Sequence, residues 1–257
     1  MKVAILCAAS CVASLSAAAP LARVVRTNPF IDVVNVANQN EVTVSNTGFA
    51  TDSLAMDPAG SLFSADATGK VFNVTAPVTF LVGSTGFTQI GDLDYATGGL
   101  WGFSNASQTL FFFDLTATSV TYSVALPTLS TVTVTGVAYR PTDGSIFLSG
   151  NTGLNNDLLF QVPSASSTAN FVGNMPNGDN LSYFADIDFD AAGALYAITW
   201  FHRDFYTVDP TTGATTLVSN GPHRDVTGMA LDPVPEPATA STLGAAFIIL
   251  SRRRRTL

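Results

Sequence analysis

The chain has 257 residues, 47% of them hydrophobic, and a formal net charge of −8. Five of its eleven basic residues sit at the two ends, so residues 19–236 carry six basic against nineteen acidic side chains, a net of −13. A domain this acidic repels phosphate backbones, which excludes nucleic acid as a partner. Both cysteines, Cys7 and Cys11, precede it, so disulfides and thiolate metal sites are excluded as well.

In chain order, Met1-Lys2 is a short basic start, residues 3–15 are apolar, and Ser16-Ala17-Ala18-Ala19 offers small residues for cleavage. This is the pattern of a secretory signal peptide over residues 1–18, cut near Ala18. Cys11 is not a lipidation site on this reading, because Ala8-Ala9-Ser10 lacks the usual leucine and the apolar run continues past it. Beyond the leader Asp far outnumbers Glu, and Thr, Ser, Gly, Asn, Val and Phe dominate. The first group populates turns and the second strands, which predicts an all-β domain. Residues 30–36 and 41–45 read as its first strands.

Four segments then share one grammar: a short strand, a Gly-containing turn and three more strands. The first strands and turns run through Leu54-Ala55-Met56-Asp57-Pro58, Leu93-Asp94-Tyr95, Val137-Ala138-Tyr139-Arg140-Pro141 and Ile187-Asp188-Phe189-Asp190. A fifth, Thr227-Gly228-Met229-Ala230-Leu231-Asp232-Pro233, stops after one strand. The anchors Leu54, Leu93, Val137, Ile187 and Met229 lie 39, 44, 50 and 42 residues apart, the period of a four-stranded propeller blade. The expected fold is a single five-bladed β-propeller over residues 19–233, its last blade a composite of strands from both termini. Another blade count, an open β-solenoid or a β-sandwich are the alternatives.

The first strand of each blade lines the channel and alternates between faces. Two of them carry extra acids, Asp92 with Asp94 and Asp186 with Asp188, where the other repeats have Ser53 and Ala55, Gly136 and Ala138, or Gly228 and Ala230. These four carboxylates are the candidate ligands for a hard cation such as Ca²⁺; the structural alternative is that they cap turns or bond to amides. Asp57, Asp143, Asp190 and Asp232 are read as turn formers. The two histidines stand in matching triplets, His202-Arg203-Asp204 and His223-Arg224-Asp225. Their loops open on the same end of a propeller. His202, Arg203, His223, Arg224 and Asp225, with Trp200, form the candidate binding face, near Asp52, Asp92 and Asp186 at the channel mouth. Ordinary charged loops would look the same. No serine-nucleophile motif or phosphate loop is present.

The chain closes with Val234-Pro235-Glu236-Pro237, an apolar stretch over 238–250, and Arg252-Arg253-Arg254-Arg255. As a helix the fourteen residues 238–251 reach about 21 Å against a hydrocarbon core of roughly 30 Å, a marginal span suited to temporary retention. Four arginines would hold its end in the cytoplasm. This 234–257 segment resembles the PEP-CTERM sorting signal of bacterial envelope proteins. The resemblance implies recognition and removal of the tail by an exosortase-type enzyme, transient membrane insertion, and final residence at the cell surface or in the extracellular matrix. It also implies association with exopolysaccharide or envelope proteins. The expected role is non-enzymatic binding or structure, with Ca²⁺ the one candidate cofactor. The alternative is a propeller hydrolase or lyase acting on a sugar or lactone through a metal at the channel mouth.

Overall fold

The computed structural model describes residues 19–231, apart from 28–29, 154–156, 165 and 179–182. The leader and the sorting signal with Val234, Pro235, Glu236, Pro237 and the four terminal arginines lie outside the described residues. Among those described, no helix is long and apolar enough to cross a membrane.

Three strands open the domain: β1 (Leu21–Arg26), β2 (Phe30–Asn35) and β3 (Glu41–Asn46). Four sets of four follow. Blade 1 holds β4 (Ala55–Met56), β5 (Leu62–Ala65), β6 (Lys70–Asn73) and β7 (Phe80–Ser84). Blade 2 holds β8 (Ile90–Ala96), β9 (Gly99–Ser104), β10 (Thr109–Asp114) and β11 (Ser119–Ala125). Blade 3 holds β12 (Thr133–Arg140), β13 (Ser145–Asn151), β14 (Asp157–Val162) and β15 (Asn170–Asn174). Blade 4 holds β16 (Phe184–Phe189), β17 (Leu195–Thr199), β18 (Phe205–Val208) and β19 (Thr215–Ser219). The last strand, β20 (Val226–Leu231), pairs antiparallel with β1, Met229 opposite Val24, so that blade 5 runs β20-β1-β2-β3. The fold is the five-bladed propeller with a composite last blade that the repeats imply, and strands from both termini close its ring.

Burial follows from that geometry. Inner and middle strands are covered on both faces by neighbouring blades, so β16 is buried at every residue and β13 at all but its last. Outermost strands such as β11 alternate exposed and half-buried residues. The core is divided among five apolar clusters, one at each seam between blades. At the seam of blades 3 and 4, Phe147 meets Phe189 edge to face at 5.4 Å, a geometry favoured by the ring quadrupoles. Asp57, Asp66, Asp114, Asp190 and Asp209 each accept backbone N–H groups two residues or more ahead, which is why this acidic chain spends so many aspartates on turns.

Candidate functional site at the channel mouth

The inner strands β8, β12, β16 and β20 share an irregularity. Their pairing slips by one residue at Gly91, Thr135, Ala185 and Thr227. Such bulges re-aim the side chains around them. Here each bulge sits just before the channel position (Asp92, Gly136, Asp186 or Gly228). With Asp52 from blade 1, the four bulge residues line the mouth of the channel.

Above them opens a cavity of about 700 Å³ that all five blades help to wall. Among the described residues its lining is mostly Thr, Ala, Asn and Gln with two carboxylates, Asp52 and Asp66, and no Lys, Arg or His. Much of the polar wall also holds the blades together. Asn105 accepts from the Val134 N–H at 2.9 Å and donates to its carbonyl at 2.8 Å. The Thr135 hydroxyl donates to the Phe184 carbonyl at 2.8 Å and the Thr227 hydroxyl to that of Thr51 at 2.7 Å. Gln108 gives its amide to the Asn105 carbonyl, and its Oε1 is buried with no hydrogen-bond partner among the described residues.

One wall is aromatic. Tyr183 and Trp200 lie near-parallel, 6° apart in plane, with centroids 5.5 Å apart. Phe201 continues the row at 5.8 Å and 26°, and His223 meets Phe201 at 3.5 Å. His202 and His223 are 5.4 Å apart. The two triplet loops do open on one face, but neither histidine lines the cavity; they sit beyond its rim. Burial, followed by the charges of Asp52, Asp157 and Asp225, raises the Tyr183 phenol above its ordinary value. Burial likewise raises Asp52.

Arg203 is not part of a binding surface. It is 1% exposed, ion-paired to Glu41 and bonded to Gln39 at 3.2 Å, tying blade 4 to the β2–β3 turn of blade 5. Arg224 joins the same Glu41 at 3.0 Å. A long basic side chain read from sequence as surface is thus a clamp on the composite blade. Asp225 is exposed, and its carbonyl accepts from the Thr27 N–H.

The four channel aspartates lie below the mouth, on two levels. Asp92 accepts from the Val137 N–H at 2.7 Å and Asp94 from Tyr139 at 2.5 Å. Asp186 accepts from Met229 at 2.5 Å and Asp188 from Leu231 at 2.7 Å. Each carboxylate therefore holds the inner strand of the next blade. Asp92 and Asp186 lie close enough to shift each other's protonation, and Asp92 Oδ1 is buried with no hydrogen-bond partner among the described residues. Burial, reinforced by the neighbouring carboxylates, raises Asp92, Asp186 and Asp188 well above the usual range, and burial raises Asp94 to about 7. Asp94 and Asp188 line a small cavity of about 130 Å³ at the far end of the channel. Among the described residues, no three His, Cys, Asp or Glu side chains converge as a metal ion would require. The Ca²⁺ expectation for Asp92, Asp94, Asp186 and Asp188 therefore has no ligand set here. Their oxygens face strand amides and one another.

Sequence reasoning passed over Tyr183, Gln108 and the bulge residues. Aligning the repeats one position before the channel aspartates would have found the latter; for Tyr183 and Gln108 nothing in the sequence points to the cavity.

No protein-family model and no curated protein matches the chain. Among solved structures it is similar to a chain of a nidogen/laminin complex, with a TM-score of 0.51 and 9% identity over 84% of this chain and 86% of that one. A second match, Kuenenia stuttgartiensis hydrazine synthase, has a TM-score of 0.47 and 15% identity over 68% of this chain and 49% of that one. At such identity the first likeness shows the propeller fold and nothing of activity.

Proposed function

We propose that the chain is an exported envelope or matrix protein with a non-enzymatic binding role, and that its ligand sits in the channel-mouth cavity. The observation that carries this reading is the cavity itself, about 700 Å³ of space walled by all five blades and flanked by the Tyr183–Trp200 stack. Concave sites with an aromatic wall and a few placed polar groups are the usual form of a ligand pocket. The two chain ends supply the export half of the reading: a leader over 1–18 and a sorting tail over 234–257 for an exosortase-type enzyme. An exopolysaccharide is the natural partner at that destination.

The rival reading, a hydrolase or lyase for a sugar or lactone, has the His202–His223 pair in its favour. It has to reach substrate from outside the cavity lining. One experiment separates the two. The protein is expressed in a bacterium that carries an exosortase, the mature form is weighed by mass spectrometry, and it is incubated with the host's own polysaccharide. The binding reading expects loss of both ends, retention on the polysaccharide and no release of reducing ends. Steady release of reducing or unsaturated ends would replace it with the enzyme, and an uncut tail would remove the sorting half.

A further inference from the structure

We infer that the cavity takes an uncharged, extended polysaccharide, with one sugar ring against the Tyr183–Trp200 pair and the following units leading outward over Phe201 towards His223. This rests on the binding role proposed above and names its ligand class. The aromatic groups form a file rather than a box: Tyr183 to Trp200 at 5.5 Å, Trp200 to Phe201 at 5.8 Å, Phe201 to His223 at 3.5 Å. The first three planes differ by 6° and 26° at these short spacings, so the rings stack with an offset in a row that starts at the cavity wall and leaves it. Such a row offers successive apolar edges and part-faces to a polymer whose repeating units each present a C–H face. A point cation is best held by faces closing on it from several sides, which this file does not provide.

The polar lining argues for hydroxyl groups. Asp52 and Asp66 line the cavity and are acceptors when ionised. Acceptors on a cavity wall are met by a ligand rich in donors. An acidic chain fails twice. Among the described residues the lining has no Lys, Arg or His to pair with it, and Asp52, Asp157 and Asp225 already crowd Tyr183 with negative charge. Arg224, on the rim, is engaged by Glu41. Neutral sugar units meet both conditions, giving donors to the acceptors and apolar faces to the rings.

Calorimetric titration of the mature protein tests this with three probe series at one pH: glucose up to cellohexaose, oligogalacturonates of matching length, and oligolysines. The expected result is binding of the neutral series that tightens at least tenfold from cellobiose to cellohexaose. Phe201→Ala should erase the gain with length and leave cellobiose binding in place. Trp200→Ala should abolish both, with Trp200→Phe retaining part of the affinity and showing that the fold survives. Tighter binding of oligogalacturonates or oligolysines overturns the inference on ligand class. Equal affinity for cellobiose and cellohexaose overturns the outward path but leaves the cavity as a sugar site. No binding of any series at millimolar concentration overturns both the inference and the reading it rests on.

Discussion

The Val137 N–H donates to the Asp92 carboxylate at 2.7 Å, and the bond crosses from the inner strand of blade 2 to that of blade 3. The same relation recurs between Met229 and Asp186 across blades 4 and 5. The intervening seams are made differently. At Gly136 a Cβ would stand 2.7 Å from the Ile187 nitrogen, and at Gly228 one would stand 3.0 Å from the Leu54 nitrogen. Where the inner strand has Asp-x-Asp, a carboxylate fills the space to the next blade. Where it has Gly-x-Ala, the neighbouring strand itself comes close.

Gly136→Ala should therefore destabilise by about 1–3 kcal/mol, because the added methyl group meets not only the Ser149 hydroxyl but also the Ile187 and Asp186 backbone, which cannot turn aside. Gly60→Ala is the comparison. Gly60 has φ +83° with open space around its missing Cβ, so only the backbone conformation is penalised, by about 1 kcal/mol. Chemical denaturation of the two variants checks the order, and equal costs would contradict the close-packed seam.

The channel carboxyls set an unusual pH profile. Asp94 has a folded pKa of about 7 against 3.8 for the free group, and Asp92, Asp186 and Asp188 are also raised. The folded state thus binds these protons more tightly than the unfolded chain. Their stabilisation is complete below pH 3.8 and is lost as pH rises through about 7. None of the described ion pairs involves these four residues. Glu41, Asp66 and Asp143 are lowered instead, Asp143 to about 2 beside Arg140, and their contribution is lost on acidification below their ordinary range. The melting temperature should therefore peak near pH ~4 and fall by several degrees towards pH ~8. Asp94→Asn keeps a carbonyl for the Tyr139 N–H and removes the titration, so its alkaline decline should be shallower. A wild-type protein that gains stability up to pH ~8 would contradict the buried quartet.

Arg203→Ala should cost about 3 kcal/mol, lowering the melting temperature by roughly 6–12 °C. The substitution empties a buried site and leaves Glu41 to Arg224 alone. Arg203→Lys should recover little, since the guanidinium also serves Gln39. Arg140→Ala, at the exposed pair with Asp143, should cost under about 1 kcal/mol. Thermal melts of the three variants give the ranking, and a harmless Arg203→Ala would show that the composite blade does not depend on this clamp.

How far the sequence could be read follows from these residues. The blade count was legible because the apolar anchors recur every 39 to 50 residues, four of them followed by a Gly-containing turn. The pairing of β20 with β1 was legible because the fifth repeat stops one strand in. The Asp-x-Asp pairs were visible, but their partners were not: backbone amides have no sequence signature, so a seam bond and a cation ligand look alike. Arg203 misled for a related reason. Its loop resembles that of His223-Arg224, and only the positions of Gln39 and Glu41 in three dimensions show why one arginine is buried and the other half-exposed. The Tyr183–Trp200 stack joins loops from different parts of blade 4 and its approach, a meeting that periodicity does not encode.

The most direct measurement is a crystal structure of the mature protein soaked with cellohexaose. The expected result is a sugar unit against Tyr183 and Trp200 at the channel mouth, with further units passing over Phe201. Sugar seated instead at the Asp94–Asp188 end, or on the outer strands with the mouth empty, would contradict the channel-mouth site.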